Sequence, residues 1–406
     1  MVLILLRIRE RVPVIMMGET GCGKTALIRK LSELINNGNN KMEILNIHAG
    51  TDNKDIIEFI EQIIPKARKL DEEEEKKKIK EKQLGNNYEK KKLWVFFDEI
   101  NTCNSMGLLS EIICKHSYNG KKIDDNIVFI AACNPYRKIT RTMEQNGLKY
   151  PGTQERKLVY TVNPLPFSLL NFVFDFGSLT EIDEKKYIDS IIHETLKKYY
   201  DDENNTQYKQ LKELALNSLS FSHKFIKDKG DVSSVSLREI RRFNIFFDYF
   251  VEYFNKKIDY YNENEIKKNE YENFIDFDKY KNAIILSIFI CYYLRICDKE
   301  IKASFEREIN SIIKVKFRKT FEKEANFLLN EIKLVQGIAK NNALKRNIFT
   351  MFSAINARVP LFICGKPGSS KSLSVQLIFD SMKGIYSTSN FFKKFPSIIM
   401  NSFQGS

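Results

Sequence analysis

The sequence predicts an α/β protein, a parallel sheet covered by helices and continued by a mostly helical region, and three observations predict it. Short apolar runs alternate with helical patterns up to about residue 166: Val12 to Met17, Ile44 to Ile47, Leu93 to Phe97 and Ile127 to Ala132. Runs of this kind suit strands buried on both faces of a parallel sheet. Beyond Phe167 the strand signals stop and helical periodicity takes over, as in Leu237, Ile240, Arg241 and Asn244 to Phe250. The third observation is a repeat: Arg11-Val12-Pro13, an apolar run and Gly18 return as Arg358-Val359-Pro360, an apolar run and Gly365. The same offset of 347 positions carries Lys24 onto Lys371 and Thr25 onto Ser372, so two copies of one strand–loop–helix unit are expected.

These patterns divide the chain into an α/β core over 1–166, a helical lid over 167–253, a helical linker over 254–357, and the truncated start of a second core over 358–406. A length of 406 residues accommodates two or three domains. An insertion at about 71–92 interrupts the first core; its Asp71-Glu72-Glu73-Glu74-Glu75-Lys76-Lys77-Lys78 run favours a solvent-exposed helix, read as a tolerated insertion or as a docking arm. Met1 to Leu6 is too short to span a membrane and reads as a buried helix end. Ala283 to Leu294 has the length of a core helix, so no membrane span is expected. The second copy breaks off before any counterpart of the later motifs, and the chain is expected to be a fragment of a longer protein.

The net charge of +13 is spread through Lys/Asn-rich runs such as Lys256 to Lys268 and is not gathered on one motif, so specific nucleic-acid binding is not expected. The seven cysteines include no CxxC pair and the four histidines are scattered, a pattern that excludes a structural zinc site and points to a reducing, cytoplasmic setting.

The chemistry is carried by a few short motifs. Gly18-Glu19-Thr20-Gly21-Cys22-Gly23-Lys24-Thr25 matches GxxxxGK[ST], the P-loop or Walker A motif, between an apolar strand and the helical run Ala26 to Ile35. Glycines there let successive N–H groups converge on phosphate oxygens at a helix N-terminus, Lys24 neutralises the β/γ-phosphates, and the Thr25 hydroxyl coordinates Mg²⁺. Leu93 to Phe97 ends in Asp98-Glu99, a Walker B pattern that sets two carboxylates at the carboxyl edge of the sheet. Asp98 is expected to hold the magnesium ion and Glu99 to polarise the attacking water as general base.

The strand Ile127 to Ala132 leads through Cys133 into Asn134-Pro135. An amide beside the catalytic carboxylate can position the water and sense the γ-phosphate, the sensor-1 role; a turn-forming Asn is the alternative. Ser236-Leu237-Arg238-Glu239-Ile240 opens a lid helix with Ser as cap, and Arg238 is the sensor-2 candidate against the alternative of a plain surface arginine. Arg156 and Arg141 compete as the arginine finger that would serve an adjacent site. The second loop, Gly365-Lys366-Pro367-Gly368-Ser369-Ser370-Lys371-Ser372, has Ser370 where the first has glycine. Serine is tolerated there if the backbone stays helical, which leaves nucleotide binding by this loop, with Ser372 toward the metal, in place.

The series of motifs resembles the mysterin family of giant AAA+ RING-type E3 ubiquitin ligases. The residues that carry the likeness are both loops, Asp98-Glu99-Ile100-Asn101-Thr102-Cys103-Asn104, Ala131-Ala132-Cys133-Asn134-Pro135-Tyr136-Arg137-Lys138, Leu158-Val159-Tyr160, Asn163-Pro164-Leu165-Pro166 and Asp175-Phe176-Gly177-Ser178-Leu179. The fold this implies is a P-loop AAA+ parallel sheet with a helical lid, then a helical linker and the start of a second AAA+ module. The resemblance further implies two neighbouring modules of a six-module, dynein-like core using ATP and Mg²⁺. In that family ubiquitin transfer resides in a C-terminal E3 module; E2 and ubiquitin would be reached only through that module, which this stretch lacks. A mechanochemical ring ATPase of the dynein or midasin type and a scaffold with structural ATP are the competing readings.

Overall fold

A computed structural model describes residues 1–35, 42–84, 90–135, 162–177, 179–229, 235–263, 276–334 and 337–401. The chain divides into two compact units, Met1–Leu179 and Thr180–Ser406. In the first, the order is α1 (Val2–Arg9), β1 (Val14–Gly18), α2 (Lys24–Ile35), β2 (Met42–Asn46), α3 (Asn53–Gln83), β3 (Leu93–Asp98), α4 (Met106–Lys115), the short β4 (Ser117–Tyr118) and β5 (Lys121–Lys122), β6 (Ile127–Cys133), α5 (Phe167–Leu170) and β7 (Val173–Gly177).

The sheet order is β2-β3-β6-β1-β7, with every neighbouring pair parallel. Its strands are apolar throughout because both faces are covered, and alternate residues serve opposite faces. Val14, Met16, Trp94, Phe96, Ile130 and Ala132 pack with Ile4 of α1 and Ile28 and Leu31 of α2. Ile15, Val95, Phe97, Phe129 and Ala131 face the other way, onto Ile56, Ile60 and Ile63 of α3 and Leu109 and Ile112 of α4. Parallel pairing has a functional result: the carboxyl ends of β1, β3 and β6 open on one edge, at Gly18, Asp98 and Cys133.

Several expectations need correction. The sheet does not stop at 166: β7, in the stretch assigned to the lid, pairs with β1 from Ile15↔Val173 to Gly18↔Gly177. It is an edge strand with no fully buried residue, so it lacks the apolar run that marks the central strands. The N-terminal segment is a helix, but of its apolar residues only Ile4 is buried, while Val2, Leu3 and Leu6 are exposed. The insertion is not wholly solvated either. Its first half extends α3 to Gln83, and Glu74 is fully buried, accepting from Lys77 Nζ at 2.8 Å and the Lys91 N–H at 3.1 Å.

The second unit holds α6 (Glu181–Leu196), α7 (Thr206–Lys229), α8 (Leu237–Glu263), α9 (Asp276–Cys291), α10 (Lys299–Ile313), α11 (Phe317–Glu331), α12 (Asn342–Asn356) and α13 (Lys371–Ser381). The division between lid and linker at 253/254 falls inside α8. One aromatic-rich core runs from Ile188 through Phe250, Phe289, Phe321 and Phe352 to Phe395, so lid, linker and second loop share a single interior. Leu361–Cys364, expected as a strand, takes no ladder partner among the described residues. Its counterpart β1 is a strand because β6 and β7 flank it. No helix among the described residues is long and apolar enough to cross a membrane.

Candidate functional site

The site begins at the turn from β1 into α2. Gly18 is tightly walled, since an added Cβ would lie 3.1 Å from Phe176 Cβ and 3.2 Å from the Gly177 carbonyl of β7, so either neighbour would have to give by a few tenths of an ångström. Gly23, at φ +97°, has the left-handed backbone that glycine adopts without steric cost. Between them the chain doubles back with the Cys22 N–H on the Glu19 carbonyl at 3.3 Å, and α2 starts at Lys24. Lys24 is only 7% exposed, so its ammonium must find acceptors, and it donates to the Gly18 carbonyl at 2.6 Å and the Glu19 carbonyl at 3.0 Å.

Across the sheet edge, the Thr25 hydroxyl donates to Asp98 Oδ2 at 2.8 Å. Residues 73 positions apart are thus joined where the first loop meets the end of β3. A hydroxyl beside a carboxylate is a hard-oxygen donor set of the kind Mg²⁺ uses together with phosphate oxygens and water. Among the described residues no cluster of three or more His, Cys, Asp or Glu offers an all-protein metal cage.

Glu99 follows in a left-handed conformation, φ 59°, ψ 39°, and opens a 3₁₀ turn over Ile100–Thr102. Among the described residues no hydrogen bond or ion pair engages its carboxylate. Asn134 lies buried one residue past the end of β6, and Cys133 before it is buried with its thiol pushed up to about 12 by desolvation. Cys22 in the loop is raised as well, again by burial, with Lys24 acting against the shift. Both thiols therefore remain protonated at neutral pH.

Arg238 lies in the second unit, in the first turn of α8. Ser236 and Glu239 cap that helix reciprocally: Glu239 Oε2 accepts from the Ser236 N–H at 2.7 Å and the Arg238 N–H donates to Ser236 Oγ at 3.2 Å. Burial pushes the Glu239 carboxyl up, but the Ser236 backbone bond and the Arg295 and Arg242 guanidiniums outweigh it and hold it below the ordinary carboxylate range. Among the described residues the exposed Arg238 guanidinium makes no hydrogen bond or ion pair. The finger candidates Arg141 and Arg156 fall outside the described residues, as do Tyr136-Arg137-Lys138 and Leu158-Val159-Tyr160.

The second loop repeats the lysine arrangement of the first. Lys371 Nζ donates to the Gly365 carbonyl at 2.6 Å and the Lys366 carbonyl at 2.9 Å, and also to Ser369 Oγ at 3.2 Å. Pro367 and Gly368 complete its tip, Gly368 at φ +79°. The expectation that Ser370 stays helical is not met: it sits at φ 58°, ψ 23°, the left-handed region that Gly23 occupies in the first loop. Loop closure demands that hand of either residue, and serine adopts it at a steric cost of roughly 1–2 kcal/mol. Among the described residues the Ser372 hydroxyl makes no hydrogen bond to a carboxylate of the kind that joins Thr25 to Asp98.

Two copies of a loop with one lysine geometry, the first on a parallel sheet with an acid pair at its carboxyl edge, find their match in known families. Two models, each described as an RNF213 AAA domain, cover residues 1–137 and 337–406. The chain belongs to the mysterin, or RNF213, family. It is 33% identical over 429 residues to the human E3 ubiquitin-protein ligase RNF213, a match that takes in 98% of the chain and 8% of the relative. Identity to the zebrafish (Danio rerio) E3 ubiquitin-protein ligase rnf213-beta is 33%, over all of the chain and 8% of the relative, and to mouse RNF213 it is 31%, over 98% and 8%. The chain thus spans about a twelfth of the length of these mysterin relatives. Its two AAA regions are adjacent ATPase-type modules of the AAA+ class.

In the sequence Phe176 and Gly177, which wall the first loop from β7, and Asn101 and Thr102, which engage the ends of the strands that carry the site, stand out only as parts of the family likeness.

Proposed function

We propose that the first module binds ATP with Mg²⁺ at the turn after β1 and hydrolyses it, and that it works within the motor-like core of an E3 ubiquitin ligase. The observation that carries the proposal is the Thr25–Asp98 hydrogen bond of 2.8 Å, which brings the loop's metal-directed hydroxyl to the carboxylate preceding Glu99. Lys24 and the N–H groups of Gly18 to Thr25 hold the phosphates. A magnesium ion held by Thr25 and Asp98 would neutralise charge on the phosphate oxygens. Glu99 takes a proton from a water whose oxygen bonds to the γ-phosphorus as the bond to the β,γ-bridging oxygen breaks, leaving ADP and phosphate. Asn134 positions that water, Arg238 is proposed as the sensor-2 residue, and a neighbouring module supplies the arginine finger.

The second loop, Gly365 to Ser372, is proposed as a further nucleotide site, supported by the matching lysine geometry. A first core extended to take in β7 and a second core from 358 are likewise proposed, the helices between them serving as lid and linker without a break at 253/254. The ligase role is supported by the names of the relatives and concerns the longer protein, where an E3 module would engage E2 and ubiquitin. Cytoplasmic residence is supported by seven free cysteines.

Phosphate release and binding of a fluorescent ATP analogue by the chain and its variants test this. Glu99→Gln is expected to keep binding and to cut turnover by about 100-fold or more, the loss of a general base. Lys24→Ala is expected to weaken binding at the first site. Equal turnover by Glu99→Gln and the parent chain overturns the assignment.

A further inference from the structure

Asn101 is fully buried two residues after Glu99, and its amide makes a reciprocal pair with the backbone of Asn134. Its Nδ2 donates to the Asn134 carbonyl at 2.9 Å, and its Oδ1 accepts the Asn134 N–H at 3.2 Å. The register of the sheet explains what this pair does. The β3–β6 ladder ends at Phe97↔Ala131, so no strand pairing sets the height of Asn134 against Glu99. The Asn101 amide supplies one further rung, made by a side chain in place of a strand.

The other end of this connection is also fixed. Glu99 holds a left-handed backbone at φ 59°, a conformation that a non-glycine residue keeps only where its surroundings impose it. Thr102 imposes it, its N–H and hydroxyl both donating to the Glu99 carbonyl, at 3.0 and 2.8 Å, while the hydroxyl also reaches the Ile47 carbonyl at 3.1 Å. The Asn101 carbonyl accepts the Asn163 N–H at 2.7 Å, and Asn163 Nδ2 donates to the Cys103 carbonyl at 2.7 Å. The turn after the acid pair is therefore pinned to β2, to the end of β6 and to the segment leading into α5.

From this geometry we infer that Asn101 is the positioning residue that sets Asn134 against Glu99, so that the water held by the amide faces the general base. The inference rests on the proposed roles of Glu99 and Asn134. Asn101 is fully buried and acts by fixing the backbone of Asn134. Asp in its place keeps the shape but offers the Asn134 carbonyl no donor. A misplacement of the order of an ångström at a reacting centre costs about 100-fold in rate.

The experiment is a double-mutant cycle on the full chain. Turnover, ATP affinity and melting temperature are measured for the parent, Asn101→Asp, Asn134→Ala and the double variant, with Asn101→Ser beside them in case the aspartate does not fold. Asn101→Asp is expected to lower kcat by about 10- to 100-fold while ATP affinity stays within about 3-fold of the parent. In the Asn134→Ala background it is expected to cost no more than about 2-fold further, because the residue through which it acts is already gone. Losses that multiply, affinity that falls in step with kcat, or Asn101 variants that all fail to fold each overturn the positioning role. Parent-like turnover by Asn134→Ala and Glu99→Gln instead overturns the reading of the centre itself, and the inference with it.

Discussion

The strongest energetic prediction concerns a buried ion pair in the helical unit. Lys257 of α8 and Glu324 of α11 meet at 2.5 Å, with side chains 1% and 4% exposed. Tyr253 Oη donates to the same carboxylate oxygen at 2.9 Å, and the ammonium lies 4.0 Å from the Phe327 ring centroid. Lys257→Met preserves most of the stem but leaves Glu324 a buried carboxylate with a tyrosine hydroxyl for company. Breaking such a pair from one side costs about 3–5 kcal/mol. In a domain of this size each kcal/mol moves Tm by about 2–4 °C, so the helical unit is expected to melt roughly 6–20 °C lower. Far-UV circular dichroism follows the loss, and fluorescence of Trp94, the chain's only tryptophan, reports whether the α/β unit stays folded. Lys257→Met with Glu324→Leu is expected to recover most of the loss, because replacing both charges by apolar groups removes the unpaired one. A single variant melting within about 2 °C of the parent refutes the reasoning.

Acid is expected to weaken the same unit through His223, buried with Nδ1 3.3 Å from Tyr292 Oη and Nε2 without a hydrogen bond. Burial, with Lys227 next, pushes its pKa down to about 4, so between an unfolded value near 6.5 and that value the unfolded chain binds the extra proton. Stability should fall as pH drops through that window, by up to about 3 kcal/mol, and urea midpoints of His223→Leu at pH 7.5 and 5 should show a flatter dependence. Ser370→Gly relieves a left-handed serine and should stabilise the second loop by a few tenths to about 1 kcal/mol, glycine's greater freedom in the unfolded chain taking back part of the gain. Hydrogen exchange at the start of α13 measures it, and faster exchange in the variant counts against the assignment of strain.

The sequence by itself determined the central strands, the first loop and the acid pair. Each depends on local rules: apolar runs for strands buried on both faces, glycine where the backbone turns left-handed, carboxylates where a parallel strand ends. The likeness of its motifs likewise points to the mysterin family without reference to the fold. What the tertiary structure decided depends on partners far away in the chain. Whether Val173–Gly177 is a strand depends on the open edge of β1, since an edge strand has no apolar run of its own. Leu361–Cys364, similar in pattern to β1, lacks such a neighbour among the described residues and stays unpaired. Composition suggested a division of the helical region at 253/254, but α8 runs across it, and Phe and Tyr side chains from α6 to beyond α13 meet in one interior. Asn101 is an ordinary amide in the sequence; it takes on meaning only when two neighbouring strand ends bring the backbone N–H and C=O of Asn134, 33 residues away, to either side of it. Local chemistry is written in neighbouring residues, whereas the distances between catalytic groups are set by which strands the chain folds side by side.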